Sequence, residues 1–144
     1  MRPGIHFSEP MLVMAIDLGD KRTGLAVGDS STGTVMPVEV LEIPRGPSLV
    51  KAIEDAVLAH GPAELVIGLP LNMDGSEGDR AGICRAFGTD LEARIDLPIT
   101  FQDERLSSDE ANRRMARSGR THGAKKKLRD ALAACVVLED HFNG

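Results

Sequence analysis

The sequence predicts an α/β fold: one mixed five-stranded sheet, a three-stranded antiparallel meander plus two parallel strands, with helices on both faces. Three observations lead there. Two apolar runs, MLVMAID (11–17) and TGLAVGD (23–29), are joined by a short turn containing Gly19, which reads as a hairpin. After residue 47 the pattern changes to helices alternating with short apolar strands, the signature of βαβ crossovers. The 144 residues are enough for one core and too few for two.

The elements follow in order. Residues 1–10, with Pro3, Gly4 and Pro10, read as a loosely held N-terminal arm, and 11–144 as a single domain. Strands are expected at 11–17, 23–29 and 34–43, and Pro44, Gly46 and Pro47 end this meander. A helix over 48–60 sets Leu49, Ala52, Ile53, Ala56 and Val57 on one face, and Gly61 with Pro62 terminates it. ELVIG (64–68) is a continuous apolar strand, as expected when both faces are covered. A loop over 69–78 leads into a helix over 78–93, and PITFQDE (98–104) is the fifth strand. Ser107 opens a further helix, with Glu110 three residues on as its capping box. Residues 118–123 break the pattern, and a last helix runs over 125–142. In such a sheet the ends of the first and fourth strands meet near a topological switch point, where open α/β sheets bind ligands.

Composition narrows the function. Four Phe with no Trp or Tyr exclude a platform that stacks single-stranded bases on aromatic rings. The net charge of −5 argues against a polyanion binder, but its distribution reverses that impression. Nine of the seventeen Lys and Arg fall between Arg105 and Arg129, where the only acids are Asp109 and Glu110. Cys84 and Cys135 sit in apolar helical patterns without zinc spacing, as in a reducing cytoplasm. No signal peptide and no membrane-spanning run is present, so a cytoplasmic protein without membrane contact is expected.

Three carboxylates carry the chemistry. Asp17 ends the first strand, Glu104 ends the fifth, and Asp130 lies near the start of the last helix. An aspartate in a buried strand is costly unless compensated, and a divalent cation compensates it. An oxygen-only site suits Mg²⁺ or Mn²⁺, and two such ions about 4 Å apart clamp a phosphodiester during in-line displacement. Each residue also has a plainer reading. Asp17 caps the 19–22 turn, Glu104 pairs with Arg105 or Arg113, and Asp130 sits favourably near a helix N-terminus. Strand alternation puts Glu104 on one face and Asp103 on the other, so Asp103 is a rival should the strand boundary shift. Ala131, Ala133 and Ala134 form a small-residue surface that lets the last helix approach the sheet and bring Asp130 with it.

Two further segments read as phosphate contacts. In the 68–78 loop, Asn72, Ser76 and backbone N–H groups at the helix start face a polyanion; the plainer reading is a strand-to-helix connection capped by Asp74 and Glu77. Arg105, Arg113, Arg114, Arg117, Arg120, Lys125, Lys126 and Lys127, together with Lys21 and Arg22 of the first turn, form a basic approach to the carboxylates. Such an approach neutralises and steers a nucleic-acid backbone, against the alternative of a solvated charged face.

The motifs AIDLGDKRTGLAVGD (15–29), VIGLPLNMDGSEG (66–78), DERLSS (103–108) and DALAA (130–134) occur in an order that closely resembles the YqgF (RuvX) family of Holliday-junction resolvases and pre-16S ribosomal RNA nucleases. The resemblance covers residues 12–143. It implies a ribonuclease-H-like fold, metal-dependent phosphodiester hydrolysis with Mg²⁺ or Mn²⁺, and metal-binding catalytic acids at Asp17, Glu104 and Asp130. Ser107 and Ser108 stand where the family often has Thr, and Arg129 where an apolar residue often precedes the aspartate. The substrate class it implies is structured nucleic acid, RNA or branched DNA or both, and no residue here reads a 2′-hydroxyl to separate them. A homodimer would suit symmetric junction cleavage, although the sequence offers no clear dimer face. Two other functions compete: a non-catalytic nucleic-acid-binding or ribosome-assembly protein of the same fold, and a sugar-kinase-like phosphotransferase. The latter would need a second domain that 144 residues do not supply.

Overall fold

A computed structural model describes residues 11–104, residue 113 and residues 122–143, with backbone alone for 122–128. The expected N-terminal arm, the helix opening at Ser107 and most of the 118–123 break lie outside the described residues. The strands are β1 (Leu12–Asp17), β2 (Thr23–Asp29), β3 (Thr34–Leu41), β4 (Glu64–Leu69) and β5 (Ile99–Asp103). The described helices are α1 (Pro47–His60), α2 (Asp79–Glu92) and α3 (His122–Asn143).

The strands form one sheet in the order β3-β2-β1-β4-β5. The pairs β1–β2 and β2–β3 are antiparallel; β1–β4 and β4–β5 are parallel. This is the expected mixed sheet, with β1 at its centre where antiparallel pairing changes to parallel. The edge strand β3 carries Pro37, which a central strand would not accommodate, and a register shift opposite Leu25 and Ala26.

Several boundaries differ from expectation for local reasons. Helix α1 opens on Pro47, because proline at the first helical position loses no needed N–H and arrives with a helical φ. Its C-terminus turns on Gly61 in the left-handed conformation at φ 67°, with the Gly61 N–H donating to the Val57 carbonyl at 2.8 Å. Strand β5 ends at Asp103, although the Glu104 N–H still donates to the Leu69 carbonyl at 3.1 Å. Helix α3 starts at His122 and therefore takes in Gly123, whose small helical cost does not outweigh the Ala and Lys beyond it. Asp130 thus lies well past the first turn, where the N-terminal dipole no longer explains it.

Alternation along the strands divides the core into two layers. Met14, Ile16, Leu25, Leu65 and Ile67 face α1 and α2, where Leu49, Ile53, Phe87 and Leu91 complete a core of large side chains. Val13, Ala15, Ala26 and Val66 face Ala134, Val137 and Leu138 of α3. No helix among the described residues is long and apolar enough to cross a membrane.

Candidate active site

Asp17 is the last residue of β1, paired across the hairpin with Gly24. Alternation from Val13 and Ala15 points it toward α3. Burial raises its carboxyl above the ordinary aspartate value of 3.8. A side-chain hydrogen bond with Glu104 acts against this, the charge of Asp130 adds to it, and Arg129 and Arg80 lower it. The surroundings therefore oppose ionisation of Asp17, and a bound cation would offset that cost.

Glu104 reaches Asp17 because Gly68 has no side chain. A Cβ at Gly68 would sit 2.6 Å from Glu104 Oε2 and 3.1 Å from Val137 Cγ2. The carboxylate therefore lies over the end of β4, beside α3. Asp103 pairs with Leu69, whose side chain belongs to the α1–α2 layer. Glu104 lines the cleft and its rival points the other way.

Asp130 is placed by the backbone rather than by its own side chain. A Cβ on Gly24 would run into the Asp130 carbonyl and would lie 2.9 Å from the Ala131 nitrogen. Glycine at this position lets α3 rest directly on β2, opposite Asp17 in the ladder. Ala131, Ala133 and Ala134 are all buried, with the Ala131 backbone against Gly24 and Ala134 packed in the layer of Ala15 and Ala26. The Asp130 side chain is 15% exposed, with Oδ2 accepting from Arg22 Nε at 2.7 Å and Oδ1 3.9 Å from Arg129.

These three acids line one cleft of about 310 Å³. Leu18, Pro70 and Leu71 supply its apolar wall, and Arg80, the second residue of α2, its remaining charge. The sequence reading passed over Arg80. The available signal was its position, two residues after the glycine that ends the loop leaving the carboxyl end of β4.

Among the described residues, no three His, Cys, Asp or Glu side chains are disposed to hold a metal ion together. Asp130 is engaged by Arg22 at 2.7 Å. Asp17 and Glu104 are in contact, and their donor set is oxygen only, which fits a hard divalent cation of the Mg²⁺ or Mn²⁺ kind.

The 70–78 loop is stiffened from within. Leu71 bridges Glu77, the Asn72 N–H donates to the Ser76 carbonyl at 2.8 Å, and Gly75 turns at φ 88°. Asn72 Nδ2 donates to Ser76 Oγ at 2.9 Å, and that hydroxyl donates to Asp74 Oδ1 at 2.6 Å. No side chain caps α2. Asp74 is engaged by Ser76, and Glu77 accepts two bonds from Arg85 at 2.7 Å, so the expected capping by these two acids is absent. Arg85 in turn stacks 4.9 Å over the Phe101 ring, which ties the loop to β5.

Of the basic candidates, Lys21 and Arg113 are exposed, and Arg22 is turned onto Asp130. The backbone of Lys125, Lys126 and Lys127 is helical, on the stretch of α3 leading to Asp130. Arg105, Arg114, Arg117 and Arg120 lie outside the described residues.

A mixed five-stranded sheet with carboxylates gathered where pairing changes direction is the architecture of the ribonuclease-H-like proteins. Solved structures agree on the fold. RuvC of Thermus thermophilus, solved in complex with a Holliday junction substrate, aligns with a TM-score of 0.55 at 14% identity, covering 92% of this chain and 94% of that one. The Fowlpox virus resolvase, in complex with Holliday junction DNA, gives a TM-score of 0.58 at 10% identity over 92% and 97%. A Histophilus somni protein named "Putative pre-16S rRNA nuclease" is 38% identical over 131 residues, 90% of this chain and 92% of its own length. The family model RuvX, described as Holliday junction resolvase, matches residues 11–144. The chain belongs to the RuvX family of nucleases.

Proposed function

We propose that this protein is a metal-dependent endonuclease that hydrolyses phosphodiester bonds of structured nucleic acid in the cytoplasm. The observation that carries the reading is the contact between Asp17 and Glu104 in a cleft that Asp130 also lines. Asp17 and Glu104 would hold Mg²⁺ or Mn²⁺, with Asp130 joining once released from Arg22. Such a cation, when bound, activates a water and stabilises the leaving oxyanion. The protein's own part is to keep the acids together: Gly68 makes room for Glu104, and Gly24 seats the backbone of Asp130. Lys21, Asn72, Arg105, Arg113, Arg114, Arg117, Arg120, Lys125, Lys126 and Lys127 are proposed to hold the nucleic-acid backbone, as is Arg22 when it leaves Asp130.

The names of relatives and neighbours offer two substrates, the precursor of 16S ribosomal RNA and the four-way DNA junction. The experiment presents both, with single strands as controls, to one preparation in Mg²⁺, Mn²⁺ or chelator. Cleavage of either structured substrate that stops in chelator supports the reading. Paired cuts on the junction would further require two copies, which sedimentation of the complex would detect.

A second reading draws on the Arg22–Asp130 ion pair: with the third acid neutralised, the fold would serve as a non-catalytic nucleic-acid-binding or ribosome-assembly protein. Tight binding of the substrates with no metal-dependent cleavage would favour it. Under either reading, neutralising Lys125, Lys126 and Lys127 should weaken binding and reduce its salt dependence by roughly one unit per lost phosphate contact.

A further inference from the structure

We infer that Arg80 is a phosphate anchor of the carboxylate cleft, taking the non-bridging oxygens of a nucleic-acid phosphodiester from the α2 side. This rests on the nuclease reading above and adds to it a residue that the basic C-terminal third does not include.

The cleft poses an electrostatic difficulty. Three carboxylates line it, and a phosphodiester approaching them is repelled unless cations offset the charge. Arg22 and Arg129 are directed at Asp130, at 2.7 Å and 3.9 Å. Arg80 differs from both. It lines the cleft and, among the described residues, pairs with none of its three acids, although its charge, like that of Arg129, acts on Asp17.

Its one ion pair among those residues is with Asp20, at 3.6 Å, and Asp20 already accepts from Arg45 at 2.6 Å. The side chains of Arg80 and Asp20 are 57% and 63% exposed, so this longer contact contributes little to folding. A purely structural role for Arg80 is therefore weakly supported by its contacts. Asp20 instead keeps the guanidinium near the cleft while leaving its donors available. A guanidinium offers five donors in a planar fork suited to two phosphate oxygens. Arg80 on α2 thus adds a phosphate contact to those proposed for the basic residues above.

The test compares wild type, Arg80→Ala and Arg80→Lys. Binding of a four-way DNA junction and of a precursor 16S ribosomal RNA fragment is measured in chelator across a salt series. Mn²⁺ binding to each protein alone is measured by calorimetry, and melting temperatures are recorded. Arg80→Ala should weaken nucleic-acid binding by about ten- to a hundred-fold and lower the salt slope by roughly one. Its Mn²⁺ affinity should not fall, since a cation has been removed from beside the acids. Arg80→Lys should restore the slope but only part of the affinity, because a point charge replaces the fork. Unchanged affinity and slope in Arg80→Ala would overturn the proposal, and a lowered melting temperature alone would assign the residue to folding. Wild type that binds these substrates but does not cleave them when Mg²⁺ or Mn²⁺ is supplied would sink the nuclease reading, while weakened binding by Arg80→Ala would still support the anchor.

Discussion

The two faces of the sheet are built on different terms. Toward α1 and α2 the strands present Met14, Ile16, Leu25, Leu65 and Ile67, and large side chains hold the layers apart. Toward α3 they present Ala15, Ala26, Gly24 and Gly68, and the helix backbone comes down onto the sheet. Stability resides mainly in the first layer, since area removed from water scales with side-chain size. The second layer gives up apolar volume so that carboxylates from β1, α3 and the end of β5 meet. Its acids are also poorly placed for stability, because burial opposes ionisation of Asp17. The difference separates a load on folding from a load on chemistry, and substitutions should divide along the same line.

The largest effect should come from Asp17→Asn. It should abolish cleavage while leaving the fold intact, and without divalent metal it should leave the melting temperature equal or higher. The sign follows from linkage. A carboxyl whose folded pKa is raised contributes its full stability below the unfolded value near 3.8, and loses it as pH rises toward the folded pKa. The advantage of the variant in chelator should therefore grow from acidic to neutral pH. A less stable variant at neutral pH would show that the carboxylate is a structural group.

Next is Leu49→Ala, in the other layer. A fully buried leucine removed from a close-packed core costs about 2–5 kcal/mol. Urea denaturation should show this loss, whereas cleavage measured well below the melting temperature should match wild type. A proportionate loss of catalytic rate would break the division between the layers.

Gly68→Ala should do the reverse on a smaller scale. The added methyl would meet Glu104 Oε2 and cost about 1–3 kcal/mol by overpacking, unless the carboxylate swings away. Either way Mn²⁺ affinity should fall by more than the change in stability accounts for. Unaltered metal affinity would mean that Glu104 does not hold the ion.

The smallest effect on rate is expected from Asp103→Asn, because Asp103 shares the face of Leu69 and not that of the cleft. Glu104→Gln should cost far more activity. The reverse order in a side-by-side assay would show that the wrong face of β5 has been assigned.

Much of this division was legible in the sequence because period and residue size are local. Alternation in ITFQD followed by Glu104 gave the correct face of β5, and the alanines after Asp130 announced a close helix–sheet contact. Gly24 and Gly68 were visible as glycines, but which backbone or side chain each would meet depends on residues more than thirty positions away. For the same reason the Arg22–Asp130 pair was out of reach: it joins residues 108 positions apart, and charge alone placed Arg22 with the substrate contacts. Arg80 was missed because an arginine on an otherwise polar helix start looks like surface. Only the packing of α2 beside β4 makes it part of the cleft wall.

Calorimetric titration of Mn²⁺ into metal-free wild type and Asp17→Asn under identical conditions asks whether Asp17 holds the ion. The wild type should bind saturably and the variant should not, while the variant in chelator keeps an equal or higher melting temperature. Equal binding by both proteins would contradict the assignment of Asp17, and cleavage by a wild type that binds no divalent ion would contradict the metal mechanism itself.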